Sequence, residues 1–162
     1  MKNLLKTKTI VKIIICVIWV SVILYNGTRQ GETSQRSSKE IVKLATMVMN
    51  IPTDAIDGPS IKFSDVNYFV RKNAHFFQYF ILSILICTTI KEFNLNKWSE
   101  IFLLLFILLL FPVIDEFIQK YIPGRTSNIF DVVIDFSGGI LGLTVSNLWY
   151  KMHEKKVEVR LY

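Results

Sequence analysis

Four blocks of apolar residues divide this chain, and polar segments separate each block from the next. The blocks cover residues 10–26, 74–90, 98–114 and 129–150. A helix that crosses a bilayer needs roughly 20 predominantly apolar residues, and each block approaches that length. The pattern therefore predicts an all-α fold in which a four-helix transmembrane bundle forms a single domain over residues 1–162.

The first block is similar to a secretory signal, because four lysines precede its apolar core. No Ala-x-Ala cleavage site follows that core, and Ile15 stands where a lipoprotein signal has a small residue before Cys16. We therefore interpret the block as an uncleaved first span. Cys16 and Cys87 both lie within apolar runs, where a thiol behaves as a small hydrophobe, so neither predicts a disulfide.

The segment at residues 27–73 is too long to be a tight connection between two spans. Ser38 is placed to cap a helix that runs through Met49 and is apolar on one side. Ser64 is placed to cap a second helix, which begins near Asp65 and continues through the second span. Between them stand three helix-breaking residues, Pro52, Gly58 and Pro59. We expect an extracytoplasmic helical segment that either covers the bundle or binds a partner.

Basic residues are concentrated near one predicted side of the membrane. Four spans place both termini on that side, together with the short connection from Lys91 to Lys97. Ten of the 19 basic residues lie there in short segments, and cytoplasmic segments near span ends carry an excess of Lys and Arg. We expect both termini in the cytoplasm. The net charge of +6 is then explained by anionic lipid headgroups, and nucleic acid is not an expected partner.

A polar stripe runs along the start of the second span. Lys72, His75 and Tyr79 are spaced so that they share one face of a helix. A histidine in an apolar helix is more often hydrogen-bonded inside a bundle than used in chemistry. The position of His75 favours the functional interpretation, because the predicted topology places His75 at the same outer level as Asp115 and Glu116.

The third span is expected to end at Phe111 and Pro112, because proline removes a backbone hydrogen bond. Asp115 and Gln119 follow at helical spacing and share one face, with Glu116 beside them. Ionisable groups at a hydrocarbon boundary are costly, so such a group of polar residues is a functional-site hypothesis.

The next residues, 122–125, read as a turn that returns the Arg125 guanidinium toward these carboxylates. Arginine forms planar, bidentate contacts with carboxylate or phosphate. Two interpretations stay open. Arg125 either forms a structural salt bridge with Glu116 or Asp131, or it acts with His75 to bind an anionic ligand.

In the fourth span, two carboxylates precede a stripe of small residues at the same spacing. Asp131 and Asp135 are one turn apart, and Gly138, Gly142 and Ser146 continue the row. Small residues let another helix approach closely, so this face is expected to pack against the bundle or against a second copy in a homo-oligomer. Asp135 lies deeper and needs a partner to stay charged. The candidates for that partner are His75, Lys72 and Arg125.

Four pieces of sequence together resemble the VanZ-like family of bacterial membrane proteins. They are Lys72-x-x-His75-x-x-x-Tyr79, Asp115-Glu116-x-x-Gln119, Pro123-Gly124-Arg125 and Asp131-x-x-x-Asp135-x-x-Gly138-x-x-x-Gly142. The resemblance covers about residues 64–146, and the family usually has Asn at the position of Asp135. It implies a small protein of the bacterial cytoplasmic membrane, whose founding relative is associated with low-level resistance to the glycopeptide teicoplanin. No reaction is implied.

Two classes of function follow. The first is a non-enzymatic envelope protein that lowers teicoplanin binding or access, with a polar site for a membrane lipid, a lipid-linked cell-wall precursor or a partner protein. The alternative is a membrane-embedded enzyme that modifies such a lipid by acid/base chemistry. We favour the first class, because no nucleophile with an evident base and no phosphate-binding glycine loop is present. The candidate functional residues are Lys72, His75, Tyr79, Asp115, Glu116, Gln119, Arg125, Asp131 and Asp135.

No cofactor and no metal ion are expected from the sequence. A site for a hard cation could be built from Asp115, Glu116, Asp131 and Asp135, because such cations take oxygen ligands. The spacing of these four carboxylates matches no recognised metal-binding loop, so we rank this alternative low.

Overall fold

The computed structural model describes residues 2–29, 63–125 and 127–159, together with residues 36, 39–41, 43, 44 and 47. Among these residues all regular structure is helical, without a β-strand. The four long helices are α1 (Lys2–Thr28), α2 (Phe63–Ile90), α3 (Lys97–Gln119) and α4 (Ile129–Val159). Each is long and apolar enough to cross a membrane. The predicted all-α, four-span fold is confirmed.

Two predicted helix boundaries are wrong. α3 does not end at Pro112 but continues to Gln119. Proline is tolerated inside a membrane helix because neighbouring groups satisfy the backbone that it frees, and Pro112 is buried in the bundle. α2 begins at Phe63, so Ser64 lies inside its first turn and not at the cap position.

The predicted extracytoplasmic segment falls mainly outside the described residues. The described positions between residues 36 and 47 are helical, and Arg36 forms an exposed ion pair with Glu40 at 3.8 Å. The proposed cap at Ser38 and the three helix breakers that follow it are outside the described residues. The location of this segment relative to the membrane stays a prediction.

α4 packs most extensively on α2, along the stripe of small residues. A β-carbon added to Gly138 would lie 2.3 Å from the backbone oxygen of Phe76, and one added to Gly142 would lie 2.4 Å from that of Phe80. Ser146, one turn further on, is buried. The predicted close helix contact is confirmed, and α2 of the same chain occupies this face. Association of two copies stays a prediction.

α1 joins the bundle through a few specific polar contacts. The Trp19 indole Nε1 donates a hydrogen bond of 3.0 Å to the backbone oxygen of Gln78 on α2. Near the other end of α1, Lys12 pairs with Glu92. Most large apolar side chains on α1 are exposed, as expected for a helix whose outer surface contacts lipid. These contacts place the end of α1 beside the ends of α2, α3 and α4 that carry polar residues.

Candidate functional site

The polar residues meet at one end of the bundle, where α1 and α3 end and α2 and α4 begin. One helical turn corresponds to about 5.4 Å along the helix axis, so the helices arrange these residues in two levels. The outer layer contains Lys72, Glu116, Gln119, Arg125 and Asp131. The inner layer contains His75, Asp115 and Asp135, which lie about one turn deeper than Lys72, Gln119 and Asp131 on the same three helices. Tyr79 follows one turn below His75 on the same helix.

An ion pair joins α2 to α4 in the outer layer. The Lys72 ammonium pairs with the Asp131 carboxylate, and the two side chains are only 17% and 14% exposed. Breaking a buried pair leaves an uncompensated charge, so this contact fixes the register between the two helices. It also occupies both groups, and neither is then available as the partner of Asp135.

The loop after α3 contains the turn that the sequence predicts. The Arg125 backbone N–H donates to the Ile122 oxygen at 3.1 Å, with Pro123 at the second position of the turn. Gly124, at the third position, has φ of 73°, a left-handed conformation that glycine adopts without strain. The turn sends the Arg125 side chain back toward the bundle.

The Arg125 guanidinium connects this loop to the end of α1. It donates to the backbone oxygens of Asn26 at 2.8 Å and Arg29 at 3.1 Å. A third bond of 3.1 Å goes to the Gln119 side-chain oxygen. The last carbonyls of a helix lack partners within the helix, so the planar guanidinium here caps α1 and links it to α3.

Of the two interpretations of Arg125, the structural salt bridge with Glu116 or Asp131 is not found in the described part of the chain. Among the described residues, no ion pair joins Arg125 to Glu116 or Asp131. Glu116 instead accepts a hydrogen bond of 2.9 Å from the backbone N–H of Asn128, and Asp131 is paired with Lys72. Spacing alone did not reveal that backbone carbonyls at the end of α1 accept hydrogen bonds from the guanidinium.

Two other arginines are near enough for their charges to act on Arg125, and we call the three the basic rim (Arg29, Arg71 and Arg125). Burial lowers the pKa of the Arg125 guanidinium, and the positive charge of Arg71 lowers that pKa further. Asp115 and Glu116 raise this pKa, while Arg29 acts in the same direction as Arg71. The like charges of the basic rim therefore repel one another at this end of the bundle.

The inner layer brings one imidazole and two carboxylates together. His75 Nδ1 lies 3.6 Å from Asp135 Oδ2, so His75 is the member of the predicted set that pairs with Asp135. Asp115 Oδ2 accepts a hydrogen bond of 3.0 Å from the Gln119 amide. One potential ligand atom from each of His75, Asp115 and Asp135 lies within 4.8 Å of the others, and both carboxylates are 0% exposed.

Several polar atoms here have no hydrogen-bond partner among the described residues. They are His75 Nδ1, Asp115 Oδ1, both carboxylate oxygens of Asp135 and the Tyr79 hydroxyl. The charges that act most strongly on that hydroxyl are those of Asp115 and Asp135. Buried polar groups are normally hydrogen-bonded, so such a concentration of unpartnered atoms inside a membrane span marks a candidate functional site.

Sequence reasoning missed two contributors to this arrangement. Gly27, in the last turn of α1, is buried, and a β-carbon there would lie 2.1 Å from Asp115 Oδ1. Arg71 contributes to the basic rim, although the sequence showed it only as a charge next to the second span. The position of Gly27 at the end of an apolar span could have identified it, because a glycine there often permits close approach of another helix.

Comparison with known proteins identifies the family of this chain. No curated protein and no solved structure matches the chain. The family model described as VanZ/LLP1 matches residues 12–150, a range that contains every residue of the outer and inner layers. Because the match covers most of the chain, this multi-pass membrane protein belongs to the VanZ/LLP1 family, which is associated with glycopeptide resistance.

Proposed function

We propose that this protein is a non-enzymatic envelope protein that binds an anionic, phosphate-bearing headgroup at the outer face of the bacterial cytoplasmic membrane. The ligand class is a membrane lipid or a lipid-linked cell-wall precursor. Occupation of this site lowers the access of a glycopeptide such as teicoplanin to the envelope. Membership of the family supports a role in glycopeptide resistance, and the basic rim supports the binding of an anionic group.

The basic rim is the observation that carries this proposal. Arg71 and Arg29 act on Arg125 as like charges, and Asp115 and Glu116 act on it as opposite charges; an anion bound beside the three arginines would be attracted by each of them. A guanidinium presents a planar set of donors that fits phosphate oxygens. Arg71 is the fourth residue of the second candidate span, which begins at Tyr68, so we expect the rim at the depth of lipid headgroups.

The proposal requires that the basic rim face outward, with both termini in the cytoplasm. In a variant whose native Cys16 and Cys87 are replaced by alanine, we expect a membrane-impermeant thiol reagent to label Ser127→Cys in intact cells. Lys156→Cys should be labelled only after the membrane is permeabilised. Labelling of the tail but not of the loop in intact cells would show that the orientation is inverted.

Arg71 tests the binding role, because Arg125 also holds α1 in place. Expression of the wild-type protein in a susceptible strain is expected to raise the inhibitory concentration of teicoplanin. Loss of one charge-assisted contact corresponds to about tenfold weaker binding, so Arg71→Gln should abolish the increase at equal protein abundance.

Lys151→Gln is the matched control for this measurement, because it removes an exposed basic group near the other end of α4. It should behave like the wild type. Equal resistance in cells that express Arg71→Gln or Lys151→Gln would contradict a role for the basic rim.

The alternative function is an enzyme, and one observation favours it. The His75–Asp135 pair resembles the pairs that transfer protons in catalysis, and Asp115 lies beside it. Comparing the lipids and cell-wall precursors of a deletion strain with those of its parent separates the two classes. A lipid species gained or lost in the deletion strain would support the enzyme, whereas unchanged lipids with altered teicoplanin binding would support the proposed envelope protein.

A further inference from the structure

We propose that the inner layer is a binding site for a divalent transition-metal ion of the Zn²⁺ or Mn²⁺ type. The ligands are one nitrogen of His75 and one carboxylate oxygen each from Asp115 and Asp135. One imidazole with two carboxylates is a ligand set that suits these ions better than Mg²⁺ or Ca²⁺, which prefer oxygen ligands alone. The inference does not depend on the proposed envelope activity.

The geometry of the three side chains fits an ion placed among them. Ligand atoms that each lie 2.0–2.2 Å from a tetrahedral zinc ion are roughly 3.4 Å from one another. His75 Nδ1 and Asp135 Oδ2 are 3.6 Å apart, and all three ligand atoms lie within 4.8 Å. Small side-chain movements would therefore complete the coordination.

Asp115 has one carboxylate oxygen without a hydrogen-bond partner among the described residues. Its Oδ2 accepts the Gln119 hydrogen bond, and its Oδ1 has no hydrogen-bond partner among the described residues. Metal-binding carboxylates are commonly held by such an outer hydrogen bond, which fixes the ligand atom in place. Arg125 in turn donates to the Gln119 side-chain oxygen, so the outer layer supports the orientation of the inner one.

The two inner-layer carboxylates are buried, and the nearby cationic side chains have other partners. Asp115 and Asp135 are fully buried within spans, where unpaired charge is costly. Lys72 is committed to Asp131 and Arg125 to backbone oxygens. A divalent ion held between the two carboxylates would place an opposite charge beside both of them.

Tyr79 supplies an independent indication of a ligand. Its side chain is 0% exposed, and its hydroxyl has no hydrogen-bond partner in the described part of the chain. Asp115 and Asp135 are the charges that act on it most strongly. A bound ion with its water ligands would provide the partner that this buried hydroxyl needs.

This ligand set differs from the cation site that the sequence suggested, which consisted of Asp115, Glu116, Asp131 and Asp135. Glu116 accepts a backbone hydrogen bond from Asn128, and Asp131 is neutralised by Lys72. Glu116 keeps Oε1 without a hydrogen-bond partner among the described residues, but neither Glu116 nor Asp131 belongs to the group whose ligand atoms lie within 4.8 Å of one another. The third ligand is His75. It lies on α2, so the spacing of carboxylates along α3 and α4 could not indicate it.

The test is the metal content of the full-length protein, purified in detergent through a tag without histidine. After equilibration with ZnCl₂ or MnCl₂ and removal of free metal, mass spectrometry should find about one ion per chain. Asp135→Asn and His75→Gln should each weaken binding by more than about 100-fold. Glu100→Gln is the matched control, because it neutralises a carboxylate in the first turn of α3, at the opposite end of the bundle, and it should retain the ion.

A second measurement uses the wild type alone, so it does not depend on how the variants fold. At about 100 times its Kd, the ion should raise the Tm by roughly 5 °C, and a chelator should reverse the increase. Wild-type protein that takes up neither metal and shows no shift in Tm would overturn the proposal. Metal retained by Asp135→Asn, or lost from a folded Glu100→Gln, would also overturn it. Teicoplanin susceptibility plays no part in these measurements.

Discussion

Gly142→Leu should leave almost no folded protein in the membrane. A β-carbon alone at this position would lie 2.4 Å from the backbone oxygen of Phe80 and 3.0 Å from the Ser83 side chain. The backbone oxygen belongs to α2 and cannot rotate away as a flexible side chain could. The two helices would have to separate along the most extensive contact of the bundle, which costs more than the 1–3 kcal/mol that is roughly typical of overpacking.

Thr144→Leu is the matched control for that substitution. Thr144 lies on the same helix two residues further on and is exposed, so a leucine there enlarges a surface that contacts lipid. We expect near-normal yield and thermal stability in detergent for this variant. Wild-type yield and Tm for Gly142→Leu would mean that the α2–α4 contact does not exist as described.

Arg125→Lys should lower the Tm by about 5–10 °C, although the positive charge is kept. The guanidinium reaches three acceptors on different parts of the chain, the oxygens of Asn26 and Arg29 and the Gln119 side chain. An ammonium group on a single atom cannot reproduce that planar fork. At least one carbonyl at the end of α1 would lose its partner, and α1 would detach more easily from the bundle.

Lys120→Gln serves as the control for this second prediction. Lys120 is an exposed basic residue at the end of α3, so its replacement removes a charge without removing a buried contact. Its Tm in detergent should match that of the wild type. An unchanged Tm for Arg125→Lys would show that the three hydrogen bonds contribute nothing to stability and that Arg125 is free to serve the ligand alone.

The spans were predictable because the bilayer imposes a simple requirement on sequence. A spanning helix needs a long apolar run, and the four blocks at 10–26, 74–90, 98–114 and 129–150 correspond to the four long helices. The third boundary was misplaced because proline interrupts helices in water more strictly than in a packed membrane bundle. The continuation past Pro112 adds the turn that carries Asp115, Glu116 and Gln119.

The candidate site was predictable as a group of residues but not as a set of contacts. Topology and depth placed the polar residues at one end, and the structure brings them together there. The pairing of Lys72 with Asp131, and of His75 with Asp135, depends on the rotation of α2 against α4. Helical spacing shows which residues share a face of one helix, but it does not show which faces of two neighbouring helices pack against each other.

The sequence by itself therefore determined the helices, the family resemblance and the level at which polar residues gather, since each depends on the order of residues along one segment. Only the tertiary structure decided how those residues are used. Arg125 binds the carbonyls of Asn26 and Arg29 because α1 ends beside it. His75 faces Asp115 and Asp135 because Gly138 lets α4 approach α2. Contacts between segments remote in sequence arise from packing, which no local pattern encodes.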